Sequence, residues 1–567
     1  MQVAVVLVGL YGWDKRPDII VLTNILILWF QIFNEKIFMQ RSAVKKIKNS
    51  ANGNGYSKFP EPGSKQEKQV FKKLQDKLSS HFDVIFSDRL APCTVVVIPS
   101  LSMDQEILSK ISGINHYEER LLCMLLLLRK PRTNVIYVTS ETIDPVTIDY
   151  YLHSLPGVTG YHAMRRLTLL SCHDSSSKPL TQKILERPRL IERIRRAILP
   201  DHEAHMACFN VTSLERTLSV QLQVPIFGCD PDLYELGNKS NGRKIFRECG
   251  LQVPFGFEDL YSTQDIVEAL SALKKQDPGI KRAVIKVNDG FSGDGNAIFS
   301  FSESGKKSDS KNWIRENLRQ NLKIVSDDLP YDVFMEKYNQ MGGIVEAFVE
   351  GKEKESPSVQ CRIMPDGTCE VLSTHDQELG GESGQVYIGA HFPAAKEYAI
   401  DIGKMGKQVS EVLRDKGVLG RFAIDFISVK GKKGWTHYPI EINLRKGGTT
   451  HPYVTLQFLT DGDYKADEGL YYTANGQVRY YFCSDNLKSE QFHGLTPHDL
   501  IDIAMLHDIH YDGTSQEGVL FHLIGALSQF GKLGVVCIGN SPERAIEFYN
   551  RAIEVLQLET IDPLHDR

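Results

Sequence analysis

Paired cysteines are the first thing this chain of 567 residues lacks. Its ten cysteines are scattered without a C-x-x-C pair or zinc-type spacing. That pattern argues against a disulfide framework or zinc module and for reduced thiols in the cytoplasm. Charge of one sign is missing too: 66 basic residues face 71 acidic ones, for a formal charge of −5. Neither a net field for polyanions nor a basic stripe interleaved with aromatics is present, so nucleic acid is disfavoured as a partner. Long apolar runs are scarce. The one membrane-like stretch, Ile19 to Phe33, holds 15 residues interrupted by Thr23, Asn24 and Gln31, whereas a spanning helix needs roughly 20. It follows Lys15 and Arg16, with no small-residue cleavage site behind it. A packed helix or an extension fits it better than a signal peptide or an anchor.

Familiar nucleotide and metal signatures are absent as well. The chain has no G-x-x-x-x-G-K-[ST] loop, and its glycine-rich segment does not read G-x-G-x-x-G, so a nucleotide fold here must be of another kind. His202-Glu203-Ala204-His205 lacks the H-E-x-x-H spacing that puts both histidines on one helix face, and it reads as a solvated turn. No internal repeat is evident.

What is present begins with Arg421-Phe422-Ala423-Ile424-Asp425-Phe426 and Glu441-Ile442-Asn443-Leu444-Arg445. Strand alternation puts Arg421, Ala423 and Asp425 on one face and Glu441, Asn443 and Arg445 on one face of the next strand. Phe422, Ile424, Phe426, Ile440, Ile442 and Leu444 remain for the core. Oxygen ligands of this kind suit Mg²⁺, and arginine forks suit phosphate oxygens, so the segment reads as a metal–nucleotide site. Upstream, Ala283 to Asn296 is a β-branched run that carries Lys286 outward with Asn288 and ends in a loop containing Gly290, Ser292, Gly293 and Gly295, a candidate phosphate clasp. Ile344 to Glu353 is an apolar strand closing on an acidic turn. Leu236 to Pro254 is a helix with Lys239 at its front and Gly250 at its end.

In this order the motifs resemble the ATP-grasp superfamily over about residues 236–460. The resemblance implies that Lys239 and Lys286 hold nucleotide phosphates and that Gly290 to Gly295 closes over them. It further implies that Glu346, Ala347 and Phe348 form the adenine hinge and that Glu353 accepts from the ribose. Asp425, Glu441 and Asn443 would bind Mg²⁺, or Mn²⁺ in its place, with Arg421 and Arg445 near the phosphates and substrate. The loop His375 to Gly389 and the run Gly447 to Pro452 look like the amide-forming, peptide-ligase branch that carries a pre-ATP-grasp domain. Among animal proteins the arrangement resembles the ATP-grasp half of IQ-motif proteins, and that likeness is the sole reason to consider calmodulin as a partner. An IQ site wants I-Q-x-x-x-R-G-x-x-x-R, and the nearest approach, Phe30-Gln31 through Lys36 to Arg41, has Glu35 and Lys36 in the Arg and Gly positions.

The expected organisation is an apolar extension over 1–48 and a linker and helix over 49–81, with Asn49 to Lys68 as the linker. A Rossmann-like domain follows over 82–235, then an ATP-grasp body over 236–465 broken by a polar loop at Ser302 to Ser310, and a small α+β piece over 466–567. Expected elements include strands at Thr94–Ile98, Asn134–Val138, Val478–Cys483, Leu520–Ala526 and Leu533–Ile538. Helices are expected at Tyr117–Arg129, near Ile184–Ile198 and at Pro542–Leu556. The implied activity is an ATP-dependent carboxylate–amine ligase working on small molecules through an acyl phosphate. The alternative is a catalytically weak ATP-binding scaffold or regulatory protein. These motifs do not name the substrates.

Overall fold

Two β-branched runs open the fold, and their composition decides how they pair. In the computed structural model, which describes residues 59–88, 90–102, 108–109, 112–289, 295–301, 311–326, 329–380 and 386–560, β1 (Cys93–Ile98) is buried along its whole length. Burial on both faces is what a parallel sheet between helices requires. With β2 (Thr133–Thr139), β3 (Leu167–Ser171) and β4 (Glu203–Cys208) it forms a parallel sheet in the order β3-β2-β1-β4. The apolar extension, the IQ-like stretch, the polar loop 302–310 and residues 49–58 of the linker lie outside the described residues.

Several sequence expectations are corrected here. The linker ends early, because Ser64 caps a helix over Lys65–Gln75. The helix expected over Tyr117–Arg129 is a 3₁₀ helix over Ile114–Arg129, polar in its first half and apolar all round, and so enclosed, from Leu121 to Leu128. The helix expected near Ile184–Ile198 is two helices, Leu180–Leu185 and Pro188–Ala197, broken because Pro188 has no N–H and bars Arg187 from helical geometry. The solvated turn expected at His202–His205 is mostly strand: Glu203 to His205 begin β4. Burial holds the His205 imidazole down to about 4.

A second, antiparallel sheet has the order β5-β9-β6-β7-β8, formed by β5 (Gly256–Leu260), β6 (Arg282–Val287), β7 (Asn296–Ser300), β8 (Leu322–Ile324) and β9 (Gly343–Ala347). Ile285, Val287, Ala297 and Phe299 point into a core shared with Leu270, Leu318 and Phe334 from its helices. The third sheet is much larger. It contains β10 (Lys354–Glu355), β11 (Pro357–Ile363), β12 (Cys369–Gly380), β13 (Val386–Phe392), β14 (Gly420–Gly431) and β15 (Gly434–Asn443). A short hairpin, β16 (Asp463–Lys465) and β17 (Leu470–Tyr472), stands apart. The C-terminal β18 (Tyr480–Lys488), β19 (Gly518–His522) and β20 (Lys532–Gly539) then join the large sheet, giving nine strands in the order β10-β14-β11-β12-β13-β18-β20-β19 with β15 on β14. The region 466–567 therefore shares its sheet with the body before it. The strand expected over Leu520–Ala526 stops at His522, because Leu523 turns left-handed (φ 55°) into a 3₁₀ turn.

One face of this sheet packs on the helix Ala399–Asp415. Gly406 permits that approach, since a Cβ there would sit 2.7 Å from Val359 Cγ1. The other face meets the helix Thr450–Thr460 and the 3₁₀ helix in one continuous core. Phe392 is its centre: its ring stacks on Tyr481 at 4.6 Å and lies within 6 Å of Tyr453, Tyr464 and Tyr471. Phe392→Ala should destabilise the protein by about 3–5 kcal/mol, measured as a lowered urea midpoint. A midpoint equal to wild type would show that the three layers are not held by this cluster.

Candidate functional site

Two strands and one helix start build the cleft. Alternation along β14 buries Phe422, Ile424 and Phe426 and turns Asp425 to the opposite face. Antiparallel pairing then sets Glu441 directly across from Asp425 and Asn443 across from Ala423. Asn443 Nδ2 donates to Asp425 Oδ2 at 2.9 Å, and Gln377 Nε2 donates to Oδ1 at 2.8 Å. Burial and then the facing Glu441 push the Asp425 carboxyl up to about 6. Burial would raise Glu441 as well, but Lys239, with Arg445 and Lys286 behind it, outweighs burial and holds that carboxyl below the usual range.

Lys239 reaches the acids because Asn238 caps the helix Lys239–Glu248, accepting from the Asn241 N–H. Its Nζ lies 2.6 Å from Glu441 Oε1. Lys286 on β6 pairs with Glu346 Oε1 at 2.7 Å, and Arg243 Nη1 holds the other oxygen at 2.5 Å. Asn288 ties the two lysine-bearing elements together: its Oδ1 accepts from Ser240 N (3.0 Å) and Ser240 Oγ (2.7 Å), and its carbonyl accepts from Lys239 N (3.2 Å). Tyr234, Asp289 and Arg445 complete the lining of a small polar pocket around Lys239, Glu441 and Asn443.

Lys239, Asp425, Glu441, Asn443 and Arg445 thus come together. Lys286 stands beside Glu346, whose carboxylate is engaged by two cations. At the hinge, the Ala347 N–H donates to the Phe255 carbonyl (2.8 Å) and the Phe348 N–H to the Arg282 carbonyl (3.2 Å). Glu353 is paired with Lys430 at 2.6 Å on the β14 edge. Arg421 stands apart from Asp425, about 13 Å away along β14. It lies opposite Arg362, 6.0 Å from the Tyr453 ring, and burial holds it down to about 10. Gly295 closes the β6–β7 turn, its carbonyl accepting from Val287 N, whereas Gly290, Ser292 and Gly293 lie outside the described residues.

Sequence reasoning missed Arg243, Gln377, Asp289 and Tyr234. Arg243 had a signal, since it is four residues after Lys239 and shares its helix face. Gln377 had none, because only the fold sets β12 across β11 from β14. As hard oxygen donors, Asp425, Glu441 and the Asn443 carboxamide fit a Mg²⁺-type cation. A cation would also relieve the repulsion that lifts Asp425.

Residues 231–326 and 329–445 match the family described as IQCH-like, ATP-grasp, and residues 499–552 match the PGM1 C-terminal domain. The chain is 30% identical over 472 residues to L-propargylglycine–L-glutamate ligase of Streptantibioticus cattleyicolor, covering 82% of this chain and 94% of that protein. It is 21% identical over 378 residues to IQ motif-containing protein H of Danio rerio, covering 59% of this chain and 36% of that protein. Among solved structures, the biotin carboxylase domain of Hydrogenobacter thermophilus 2-oxoglutarate carboxylase, in complex with MgADP, is similar at 13% identity with a TM-score of 0.49, over 81% of this chain and 89% of that one. Among the described residues no helix is long and apolar enough to cross a membrane.

The raised Asp425 carboxyl makes a stability prediction with a definite sign. Its folded value, about 6, lies above the ordinary carboxylate value, so the folded state binds the proton more tightly than the unfolded one. Stability from this group is fully present at acid pH and is lost as pH rises from about 4 to about 6. Asp425→Asn cannot ionise. Without divalent cations, its thermal midpoint should gain on wild type through that window and stay higher above it; a difference independent of pH would refute the buried like-charge pair.

Proposed function

Because this chain belongs to the ATP-grasp family, we propose that it is a cytoplasmic ATP-dependent ligase joining a small carboxylate to a small amine through an acyl phosphate. Its relative is named for joining two amino acids, and amino acids are the substrate class we assign here. The observation that carries the reading is the meeting of Asp425, Glu441 and Asn443 with Lys239 and Arg445 in one cleft.

The substrate carboxylate would attack the γ-phosphorus of ATP, releasing ADP, and the amine would then displace phosphate from the acyl phosphate. Lys239 and Lys286 would exchange their present acid partners for phosphate oxygens, and Arg445 would neutralise charge spreading over the transferring group. Asp425, Glu441 and Asn443 would hold Mg²⁺, which supplies positive charge to the phosphate oxygens when bound. The chain needs no covalent nucleophile for this chemistry. Retention of the full acid set supports a ligase over the ATP-binding scaffold, which has no use for it.

ADP release measured across pools of amino acids should rise only when carboxylate and amine are both supplied. Asp425→Asn and Glu441→Gln should abolish that turnover, since each removes an anionic ligand at constant volume. Lys286→Met and Lys239→Met should each weaken ATP binding by roughly tenfold or more in titration calorimetry, the scale of a lost charge-assisted phosphate contact. Wild-type affinity in both lysine variants would retire this placement of the nucleotide.

A further inference from the structure

Away from the cleft, three polar side chains meet where the helix Thr450–Thr460 crosses the large sheet. His451 from that helix, Asp485 on β18 and His522 at the end of β19 are 3%, 7% and 3% exposed. His522 Nε2 lies 2.6 Å from Asp485 Oδ1, His451 Nε2 lies 3.1 Å from the same oxygen, and the two Nε2 atoms are 2.9 Å apart. Hydrogen bonding cannot satisfy this triangle well. Two N–H groups aimed at one oxygen from nitrogens this close press their hydrogens together. One cation accepting all three lone pairs removes the conflict.

We propose that His451 Nε2, His522 Nε2 and Asp485 Oδ1 bind one divalent transition metal of the zinc class, distinct from the cation of the cleft. Two imidazoles and a carboxylate suit zinc, whereas Mg²⁺ and Ca²⁺ prefer oxygen ligands throughout. Tetrahedral ligands about 2.1 Å from zinc stand about 3.4 Å apart, so the three separations would each lengthen by roughly 0.3 to 0.8 Å on binding. Arg120 Nη2 grips the second carboxylate oxygen at 2.5 Å, as outer partners do for metal-bound carboxylates. Space for the His522 ring is built into β20: Gly534 lies opposite His522, and a Cβ there would collide with the imidazole at Nε2. Bound metal would fasten the helix that follows Arg445 to the C-terminal strands, a structural role independent of the ligase reading.

The test is elemental analysis of untagged full-length protein, reconstituted with Zn²⁺ and dialysed. Wild type and Asp425→Asn should each retain roughly one equivalent, while His451→Ala and His522→Ala should lose at least tenfold in zinc affinity. Should those variants fail to fold, chelator-treated wild type decides: adding back Zn²⁺, but not Mg²⁺, should raise its thermal midpoint, and Co²⁺ should give the visible absorption of a tetrahedral site. Wild type that retains no zinc and shows no midpoint change would overturn the site. So would stoichiometric zinc that persists in folded His451→Ala and His522→Ala.

Discussion

Two carboxylates set face to face across a pair of strands are the constraint on which the rest of the cleft depends. Asp425 and Glu441 occupy opposed positions of one antiparallel ladder, so neither can withdraw without breaking strand pairing. Their repulsion must be met locally. Lys239 offsets it from the helix start, Gln377 and Asn443 bind the Asp425 oxygens, and the residual cost remains as a carboxyl that is hard to ionise. A cation of the kind proposed for this cleft would lower that cost, because opposite charge favours the ionised carboxyl.

The cationic side of the cleft follows the same logic. Lys239 and Lys286 both rest on acids, and Asn288 and Ser240 bind their two elements into one piece. A polyphosphate arriving here would exchange partners with charges already desolvated and aimed, which costs less than recruiting lysines from solvent. The five-stranded sheet carries one lysine and is tied to the helix carrying the other, while the nine-stranded sheet carries the acids. The chemistry proposed for the cleft therefore belongs to the seam between two rigid layers.

How much of this the sequence disclosed depended on whether the signal was local. Alternation along Arg421–Phe426 and Glu441–Arg445 was enough to place Asp425, Glu441 and Asn443 on one surface, because strand geometry leaves little choice once the apolar face is known. The Gly250 stop marked the end of the Lys239 helix for the same reason. Glu346 was harder. Its position in the hinge strand was readable, but its capture by Lys286 and Arg243 depends on a helix more than a hundred residues earlier in the chain. Arg421 matched the alternation that placed Asp425, yet two turns of the pleat carried it beyond the acids to Tyr453 and Arg362. The triangle of His451, Asp485 and His522 was hidden altogether, since its two histidines are 71 positions apart and no motif spans them.

The pairing of β13 with β18 has a meaning for how this chain can be divided. The strand that ends at Phe392 is joined at Ala390, His391 and Phe392 to Cys483, Phe482 and Tyr481, and through them to the last two strands of the sheet. Cut between the two segments, the upstream part would keep its cleft residues but present a bare ladder of backbone donors and acceptors beside an apolar face. Such an edge is a template for neighbouring chains. The C-terminal strands thus act as a guard against self-association, and the body bearing the cleft is not a portable module.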